Sequence, residues 1–431
     1  MACLNWNAYL TYILLLAATL TACTNPISAI PDFGLGSSDD SPLVQLHMLG
    51  WPRSETEDAQ LQLLIDAFNQ ANPAVHVTLE LSQNYEKRLR QVLSNDQLPD
   101  ILYVDSFRFP TLATSGALMP LLAVETGNNS TNVSQLDDFY PVLRQTFTAR
   151  GTPYCLPAEF RSLALFYNRT MFANAGLDGP VAEPNGNWQW ADLETAAKEL
   201  ANVKNIYYAD YGLSLDADMS RWLAFFYQAG GTIQNADEIA VNNLVPFRGP
   251  AAQTALDFYT SLLVEEYAIQ PAMDRSGWPG EAFSNQRVAM VIEGNWLIPY
   301  LAQRTPDLDY GVAELPSGPS GKGTVLFSRC YAISSHSRYP NVAAILIDWL
   351  LHPENMAAIT DWQSTMPSRI SLQDAWLAQH PNLAPFMAGI DYGKPWQLPA
   401  GHENLLPDFN EGIQAIIDEE YSVQEVLENL D

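Results

Sequence analysis

The sequence predicts an α/β fold in which strands of a sheet are covered by helices. Strand-like and helix-like patterns alternate along residues 43–105, which is typical of parallel strands joined by helices. The chain has 431 residues, a length that suggests two or three domains. Of these residues 47% are hydrophobic and 16% are charged. This globular composition supports more than one hydrophobic core.

The first part of the chain predicts a strand–helix–strand–helix–strand unit. After a strand over Leu43–Trp51, Ser54 precedes Glu57 by three residues, as in a capping box at a helix start. Apolar residues then recur at helical spacing. Ligands of such sheets bind beyond the carboxyl ends of the strands, which directs attention to Trp51 and Asp105. The predicted stripes and strands are Leu61, Leu64, Ile65 and Phe68; Val75–Leu81; Tyr85, Leu89, Val92 and Leu93; and Ile101–Asp105.

A second α/β region begins near Tyr154, and the chain ends in helices. The segment Gly318–Thr324 is rich in glycine, but it joins two strands and lacks the phosphate-loop spacing, so we predict a turn there. The predicted strands are Tyr154–Leu156, Leu163–Tyr167, Arg287–Ile292, Asp309–Pro316 and Val325–Ser334. The predicted helices are Ala191–Ala201, Arg221–Ala229, Ala251–Tyr267, Asn341–Leu351, Pro353–Trp362 and Phe409–Asp418.

The N-terminus resembles the leader of a bacterial lipoprotein. An apolar stretch over Tyr9–Leu20 is short for a membrane span and ends in the lipobox-like run Leu20-Thr21-Ala22-Cys23. The resemblance implies a signal peptide over residues 1–22, a lipid on Cys23, and an exported protein anchored to the membrane by that lipid. A plain signal peptide or a retained anchor are the alternatives, because the leader has no Lys or Arg. Residues 23–41 are predicted to form a flexible tether.

The charge of the chain restricts which partners it can bind, and its cysteine content indicates the compartment. The net charge is −28, which argues against nucleic acid as a partner. Once Cys3 and Cys23 are set aside, Cys155 and Cys330 form an even pair in an exported and oxidising setting. They are either bridged or two buried thiols. The six histidines have no ligand spacing, so no metal and no cofactor are predicted.

Four segments in order resemble the solute-binding proteins of ABC importers, in the sugar-binding group that includes maltose-binding protein. The third ends in the Gly-x-Trp run of Gly294, Asn295 and Trp296, and a short Met-Pro-Ser run at 366–368 fits as well. Together they extend over nearly all of the chain after Leu43. The four segments are Pro99–Leu121, Tyr154–Leu177 with Asn187–Leu200, Phe283–Leu301, and Tyr310–Ile359.

The resemblance implies a two-lobe periplasmic-binding-protein-like fold of type II, with a mixed sheet and flanking helices in each lobe and a ligand cleft at the hinge. Lobe 1 is expected over residues 42–153 plus 311–340, and lobe 2 over 156–308 plus 341–431. The expected partners are a carbohydrate and ABC permease subunits with a cytoplasmic ATPase, and the chain is expected to be a monomer without enzymatic activity. The alternatives are a secreted carbohydrate-active enzyme, or a binding protein for an acidic sugar, a sugar phosphate or a polyol.

Candidate ligand-binding residues follow from sugar chemistry and from the resemblance. Aromatic faces suit the apolar face of a sugar ring, and charged groups suit its hydroxyls. Trp296 stands where a stacking tryptophan is expected, and Glu293 either lines the cleft or complements the dipole of the next helix. For the remaining candidates the alternatives are core packing, helix capping or an ion pair between strands: Trp51, Glu55, Asp105, Ser106, Glu159, Arg161, Trp222 beside Arg221, Tyr331 and Trp396.

Arg329 marks a departure from the family pattern. Many relatives carry a tryptophan that stacks on sugar at this point before the strand residues Tyr331 and Ala332. A guanidinium also stacks, and it binds carboxylate or phosphate in a bidentate manner. The substitution makes Arg329 a candidate ligand-binding residue. With Arg108 and Arg161 expected nearby, it leaves an acidic sugar or a sugar phosphate open as the ligand and weakens the case for a plain maltodextrin. In the two-lobe arrangement Cys155 and Cys330 both lie near the hinge, where a disulfide is one of the two expected states.

Overall fold

The computed structural model describes residues 43–95, 97–121, 133–180, 188–201, 211–233, 245–362 and 364–430. The expected signal peptide, the tether and Cys23 lie outside these residues. The helices and strands are β1 (Val44–Gly50), α1 (Glu55–Ala71), β2 (Val75–Leu81), α2 (Tyr85–Ser94), β3 (Ile101–Asp105), α3 (Phe109–Thr114), α4 (Pro141–Thr146), β4 (Thr148–Ala149), β5 (Thr152–Pro153), β6 (Cys155–Asn168), α5 (Arg169–Ala175), α6 (Trp190–Ala201), β7 (Tyr211–Ser214), α7 (Met219–Gln228), α8 (Pro250–Val264), β8 (Ala268–Ile269), α9 (Pro271–Asp274), α10 (Pro279–Ser284), β9 (Val288–Gly294), α11 (Leu297–Arg304), β10 (Tyr310–Ala313), β11 (Val325–Ile333), α12 (Pro340–Leu350), α13 (Pro353–Trp362), β12 (Met366–Pro367), α14 (Gln373–Gln379), α15 (Ala384–Ala388), β13 (Lys394–Pro395), α16 (Leu405–Ile417) and α17 (Val423–Glu428).

The first lobe contains the predicted β1–α1–β2–α2–β3 unit. Strand β1 pairs in parallel with β2 and with β3, and β11 joins β3 antiparallel. Helix α1 begins where the sequence predicts, because the Ser54 hydroxyl accepts a hydrogen bond from the Glu57 backbone N–H. Successive strand residues alternate between two cores, with Leu46 and Met48 on one face and Leu49 on the other.

The second lobe is built on the other half of β6. Strand β9 pairs antiparallel with β6 and parallel with β7, and β7 pairs parallel with β8. The alternation again separates two cores: Leu163 and Leu165 face helices α6 to α8 and α16, whereas Phe166 faces α10, α11 and α15. Both lobes therefore contain a mixed sheet with helices on each face, as the predicted fold class requires.

Strand β6 connects the lobes as one continuous strand of 14 residues. The sequence predicts two separate runs here, Tyr154–Leu156 and Leu163–Tyr167. Pro157 is accommodated at a register shift, since Arg329 pairs with Glu159 while the next residue, Cys330, pairs with Pro157. A β-bulge is one of the few places where a sheet tolerates proline. The strands β6 and β11 thus lead from one lobe to the other through the bulge.

Packing differs from the expected lobe boundaries in two places. Strand β10 pairs with the lobe 2 end of β6, from Leu165 to Asn168, although residues 311–340 were assigned to lobe 1. Helices α12 and α13, assigned to lobe 2, supply Ala343, Ile347 and Ile359 to the core that contains Leu46 of β1. These two helices pack in lobe 1 because their apolar face covers the sheet of β1 to β3 beside α1. Residues 340–359 therefore belong with lobe 1 by packing.

The glycine-rich segment forms the predicted turn. The Gly318 backbone N–H donates to the Gly321 carbonyl at 3.0 Å, and Gly321 has a φ of +113°, which glycine tolerates best. Among the described residues no single helix is long and apolar enough to cross a bilayer. The pair Pro340–Leu350 and Pro353–Asp361 meets the length and composition test only together, across a bend of 63°.

Candidate functional site

Strand pairing brings several predicted site residues to one face near the bulge. Arg329 of β11 pairs with Asp105 of β3 on one side and with Glu159 of β6 on the other. Two residues earlier on β11, Phe327 pairs with Arg161. Paired residues point to the same side of a sheet, so these side chains form one surface that runs from lobe 1 towards lobe 2.

An aromatic stack forms the lobe 1 side of this surface. Trp51 follows β1 and stacks on Tyr85 with ring centroids 3.9 Å apart, and it meets the edge of Tyr103 at 5.7 Å. Tyr103 in turn stacks on Tyr331 at 4.9 Å. Trp51 is half-buried, whereas the other three rings are buried. Because its neighbours hold Trp51 rigidly, the ring presents a fixed apolar face.

Three arginines surround this stack. Arg53 donates to the Tyr103 hydroxyl at 2.6 Å, and its guanidinium lies 5.1 Å from the ring centre. The Arg329 guanidinium lies 5.3 Å from the Trp51 ring centre and 5.7 Å from that of Tyr103. Arg161 and Arg329 flank the carboxylate of Glu159, which is 1% exposed. Burial, with the nearby charges of Arg329 and Arg53, lowers the pKa of Arg161 to about 10 despite Glu159.

Asp105 belongs to a separate ion-pair chain. It pairs with Arg108, which also pairs with Glu86. The Arg108 guanidinium lies 5.7 Å from the Trp51 ring centre, so the chain borders the aromatic stack. Burial raises the pKa of Asp105 to about 6, although the Arg108 backbone N–H and the charge of Arg329 oppose the shift. Asp105 is therefore protonated more readily than an ordinary aspartate.

Trp296 forms the lobe 2 side, and Glu293 holds it in place. The indole N–H donates to Glu293 Oε2 at 2.8 Å. Arg221 donates to both oxygen atoms of Glu293, at 2.9 and 2.8 Å, and to Asp218 at 2.6 Å. Burial acts to lower the pKa of Arg221, but Glu293 and Asp218 outweigh it and hold the pKa above its usual value. Gly294 leaves the space that the Trp296 ring occupies, since a Cβ atom at residue 294 would overlap the ring.

Further aromatic rings join the two sides. Phe327 meets the edge of Trp296 at 5.4 Å and lies 6.3 Å from Trp396. Trp396 stacks on Phe107 at 5.0 Å. All four rings are half-buried. A cavity of about 230 Å³ lies beside the segment that carries Trp396, between α4 and the end of α7, and none of the arginines or rings named above lines it.

Several predicted site residues are buried or lie apart from the aromatic stack. Trp222 is fully buried among Phe226, Phe247 and Phe409, because helix α7 is apolar on nearly every side. Tyr331 is covered by Tyr103. Ser106 is also buried, whereas Glu55 is exposed in the first turn of α1, a position that complements the helix dipole.

Glu159 and Glu293 are buried as well, so neither carboxylate is exposed on the surface of the cleft. Glu159 lies behind two arginines, and Glu293 positions Trp296. The exposed or half-buried candidates that remain are Trp51, Asp105, Arg161, Trp296, Arg329 and Trp396. The structure also joins Cys155 and Cys330 in a buried disulfide with Cα atoms 5.8 Å apart, which decides between the two states left open above.

Sequence reasoning missed Arg53, Tyr103, Phe107 and Phe327. Phe327 could have been predicted from the alternation of side chains along a strand. It lies two residues before Arg329 on β11 and therefore on the same face. Pairing of β11 with β3 places Tyr103 opposite Tyr331, a relation that the sequence does not contain. In the part of the chain that the structure describes, no group of three or more His, Cys, Asp or Glu residues is arranged to hold a metal ion.

The sequence is similar to a family of bacterial binding proteins. A family profile described as bacterial extracellular solute-binding protein matches residues 53–357. A Brucella abortus (strain 2308) protein described as a binding protein is 25% identical over 276 residues, 62% of this chain and 63% of that protein. The multiple sugar-binding protein of Streptococcus mutans is 22% identical over 293 residues, 64% of either chain. The match thus spans less than two thirds of the length of these relatives.

The fold is shared with solved structures over most of the chain. The sugar-binding protein from Xanthomonas citri superimposes with a TM-score of 0.73, covering 90% of this chain and 95% of that chain at 18% sequence identity. This likeness confirms the predicted two-lobe α/β fold.

Proposed function

The chain belongs to the bacterial extracellular solute-binding proteins, and we propose that it captures a carbohydrate of two or more rings in the cleft between its lobes. The family consists of binding proteins, so the prediction of a protein without enzymatic activity is confirmed and the enzyme alternative is rejected. That the Streptococcus mutans relative is a multiple sugar-binding protein supports a carbohydrate as the solute.

The observation that carries the proposal is the pair of rigidly held tryptophans on the two sides of the cleft. Trp51 is fixed by Tyr85 and Tyr103, and Trp296 is fixed by its hydrogen bond to Glu293. Both rings are half-buried, so each keeps part of its surface open. Polar guanidinium groups lie between them along β11 and β6. Apolar faces separated by hydrogen-bond donors suit a chain of sugar rings, which has apolar faces and hydroxyl edges.

Closure of the hinge follows from a ligand that touches both lobes. A solute between Trp51 and Trp296 stabilises the closed state, because only that state lets it contact both at once. The strands β6 and β11 form the connection about which the lobes rotate. We propose that the closed form delivers the solute to ABC permease subunits with a cytoplasmic ATPase. In this proposal the protein is a monomer held at the outer face of a membrane by a lipid on Cys23.

Binding to a panel of neutral sugars tests the proposal. Purified protein is titrated with mono-, di- and trisaccharides while tryptophan fluorescence, heat and the melting temperature are recorded. A sugar present at 100 times its Kd should add about 2.7 kcal/mol to the free energy of unfolding. Trp51→Ala and Trp296→Ala should lose this effect, whereas Trp278→Ala, which removes a ring that contacts Tyr300 away from the cleft, should keep it. If neither this panel nor the acidic counterparts of its sugars change the fluorescence or the melting temperature, the carbohydrate assignment is wrong.

A further inference from the structure

The lobe 1 side of the cleft carries more positive charge than its own carboxylates balance. Arg53, Arg161 and Arg329 are close neighbours: Arg53 and Arg329 lie 5.1 and 5.7 Å from the same Tyr103 ring centre. In the described part of the chain, Glu159 is the only carboxylate within 4 Å of any of the three guanidinium groups. Three positive charges and one negative charge leave an excess of two, in a chain whose net charge is −28.

The nearby acidic residues offset only part of this excess, since Asp105 also attracts the charge of Arg329. Asp105 and Glu86 both pair with Arg108 and are thus engaged in another ion-pair chain. Like charges this close repel each other, and the repulsion is strong where water is partly excluded. The lowered pKa of Arg161 reflects the burial of that charge and the same repulsion from Arg329 and Arg53. An anion that enters from the cleft would offset the repulsion that Arg161 experiences from Arg329 and Arg53.

Glu159 also leaves the arginines free to make further hydrogen bonds. Its oxygen atoms lie 3.6 Å from Arg161 Nε and 3.8 Å from Arg329 Nε, both too long for hydrogen bonds. The buried Nε atoms of Arg53 and Arg161 have no hydrogen-bond partner. The side chains of Arg161 and Arg329 keep 18% and 26% of their surface exposed. Their planar forks are therefore available to an acceptor that enters from the cleft.

From this geometry we infer that Arg53, Arg161 and Arg329 form a subsite for an anionic group, a carboxylate or a phosphate, and that the solute is an acidic carbohydrate. The inference rests on the proposed function, because it takes the cleft as the solute site. Glu159 orients the forks from behind, and Trp51, 5.3 Å from the Arg329 guanidinium, offers its face to the ring that carries the anion.

Pairs of ligands that differ only in charge test the inference by calorimetry. Digalacturonate is compared with the neutral galactose disaccharide, and trehalose 6-phosphate with trehalose, so that the two arms separate carboxylate from phosphate in ligands of two rings. We expect the acidic member of one pair to bind about 30-fold more tightly or better. Its affinity should fall as ionic strength rises, whereas that of a neutral sugar should not.

Variants then assign the effect to the arginines. Arg329→Gln should abolish most of the preference for the acidic member, and Arg329→Lys, which keeps the charge but not the fork, should retain part of it. Arg169→Gln, which removes an exposed ion pair with Asp309, should change nothing. If the neutral member of each pair binds as tightly as the acidic one, or binds alone, the inference is wrong and the proposed function stands. If no member of either pair and no neutral sugar binds, both are wrong.

Discussion

Replacing Glu293 with glutamine should weaken ligand binding even though Glu293 does not reach the cleft. Both oxygen atoms of Glu293 accept from Arg221, and Oε2 also accepts from the Trp296 indole N–H. Glutamine has nearly the same volume, but an NH₂ donor replaces one oxygen atom. That donor faces either the guanidinium or the indole N–H. At least one buried donor therefore loses its acceptor, and Arg221 loses one of its two counter-charges.

The size of the effect follows from these contacts. Breaking a buried ion pair by removing one partner costs about 3–5 kcal/mol of unfolding free energy. Arg221 keeps Asp218 at 2.6 Å, so we expect a loss of about 3 kcal/mol, at the lower end of that range. Removing an aromatic anchor from an interface costs about 2 kcal/mol or more. A Trp296 ring that is displaced but present should cost about 1–2 kcal/mol, which is roughly 5- to 30-fold in Kd.

Two measurements and one comparison variant make this prediction decisive. Denaturant unfolding gives the stability, and calorimetry with the tightest sugar of the panel gives the Kd. Trp296→Phe keeps a ring over Gly294 and leaves the bonds between Arg221 and Glu293 intact. It should lose affinity with a stability change of about 1 kcal/mol at most, as expected for one lost hydrogen bond. If Glu293→Gln loses stability but keeps full affinity, Trp296 does not depend on Glu293 and the reasoning is refuted.

The remaining predictions concern the strand ends and the hinge. Gly294→Ala should displace the indole ring and lower the free energy of unfolding by about 1–3 kcal/mol. Gly50→Ala, whose Cβ would meet its nearest atom at 3.4 Å, should lower it less in the same unfolding assay. Equal losses for the two variants would contradict the steric argument. Because burial raises the pKa of Asp105 to about 6, its protonated form is favoured in the folded state and its contribution to stability is lost as pH rises through about 6. Asp105→Asn should therefore gain about 2.4 kcal/mol relative to wild type between pH 4 and pH 7 in urea unfolding. A constant difference would show that the pKa of Asp105 is the same in the folded and unfolded states. Reducing the disulfide between β6 and β11, which closes a loop with a sequence separation of 175, should lower the unfolding free energy by about 2–5 kcal/mol. The bond is opened with reductant under denaturing conditions. If the refolded, reduced protein then keeps its melting temperature, this prediction is contradicted.

Local pattern predicted the elements that depend on local physics. The stripe of Leu61, Leu64, Ile65 and Phe68 became the buried face of α1, and Ser54 caps that helix. Trp296 is half-buried beside Gly294, where a Cβ atom would overlap its ring, so this part of the Gly-x-Trp pattern is a local requirement. These features need only neighbours in the chain, so the sequence contains the information that determines them.

Relations between distant segments were not predictable in the same way. Trp222 looks like a cleft residue beside Arg221, and only the packing of Phe247 and Phe409 around it shows that it is core. Tyr331 lies on the predicted face of β11, yet Tyr103 from β3 covers it. The lobe assignment of α12 likewise depended on which sheet its apolar face covers. In each case the deciding contact joins residues that are far apart in sequence.

The register shift at Pro157 explains how one pair of strands carries both a polar cleft and a disulfide. Without the extra residue, alternation would place Cys155 on the same face as Glu159, which is the face of Arg329 and the cleft. The bulge reverses the alternation beyond Pro157, so Cys155 turns to the opposite face, where Cys330 lies in the core against α2 and α3. Glu159 stays behind the arginines on the cleft side. This proline thus marks the point where these two roles are separated.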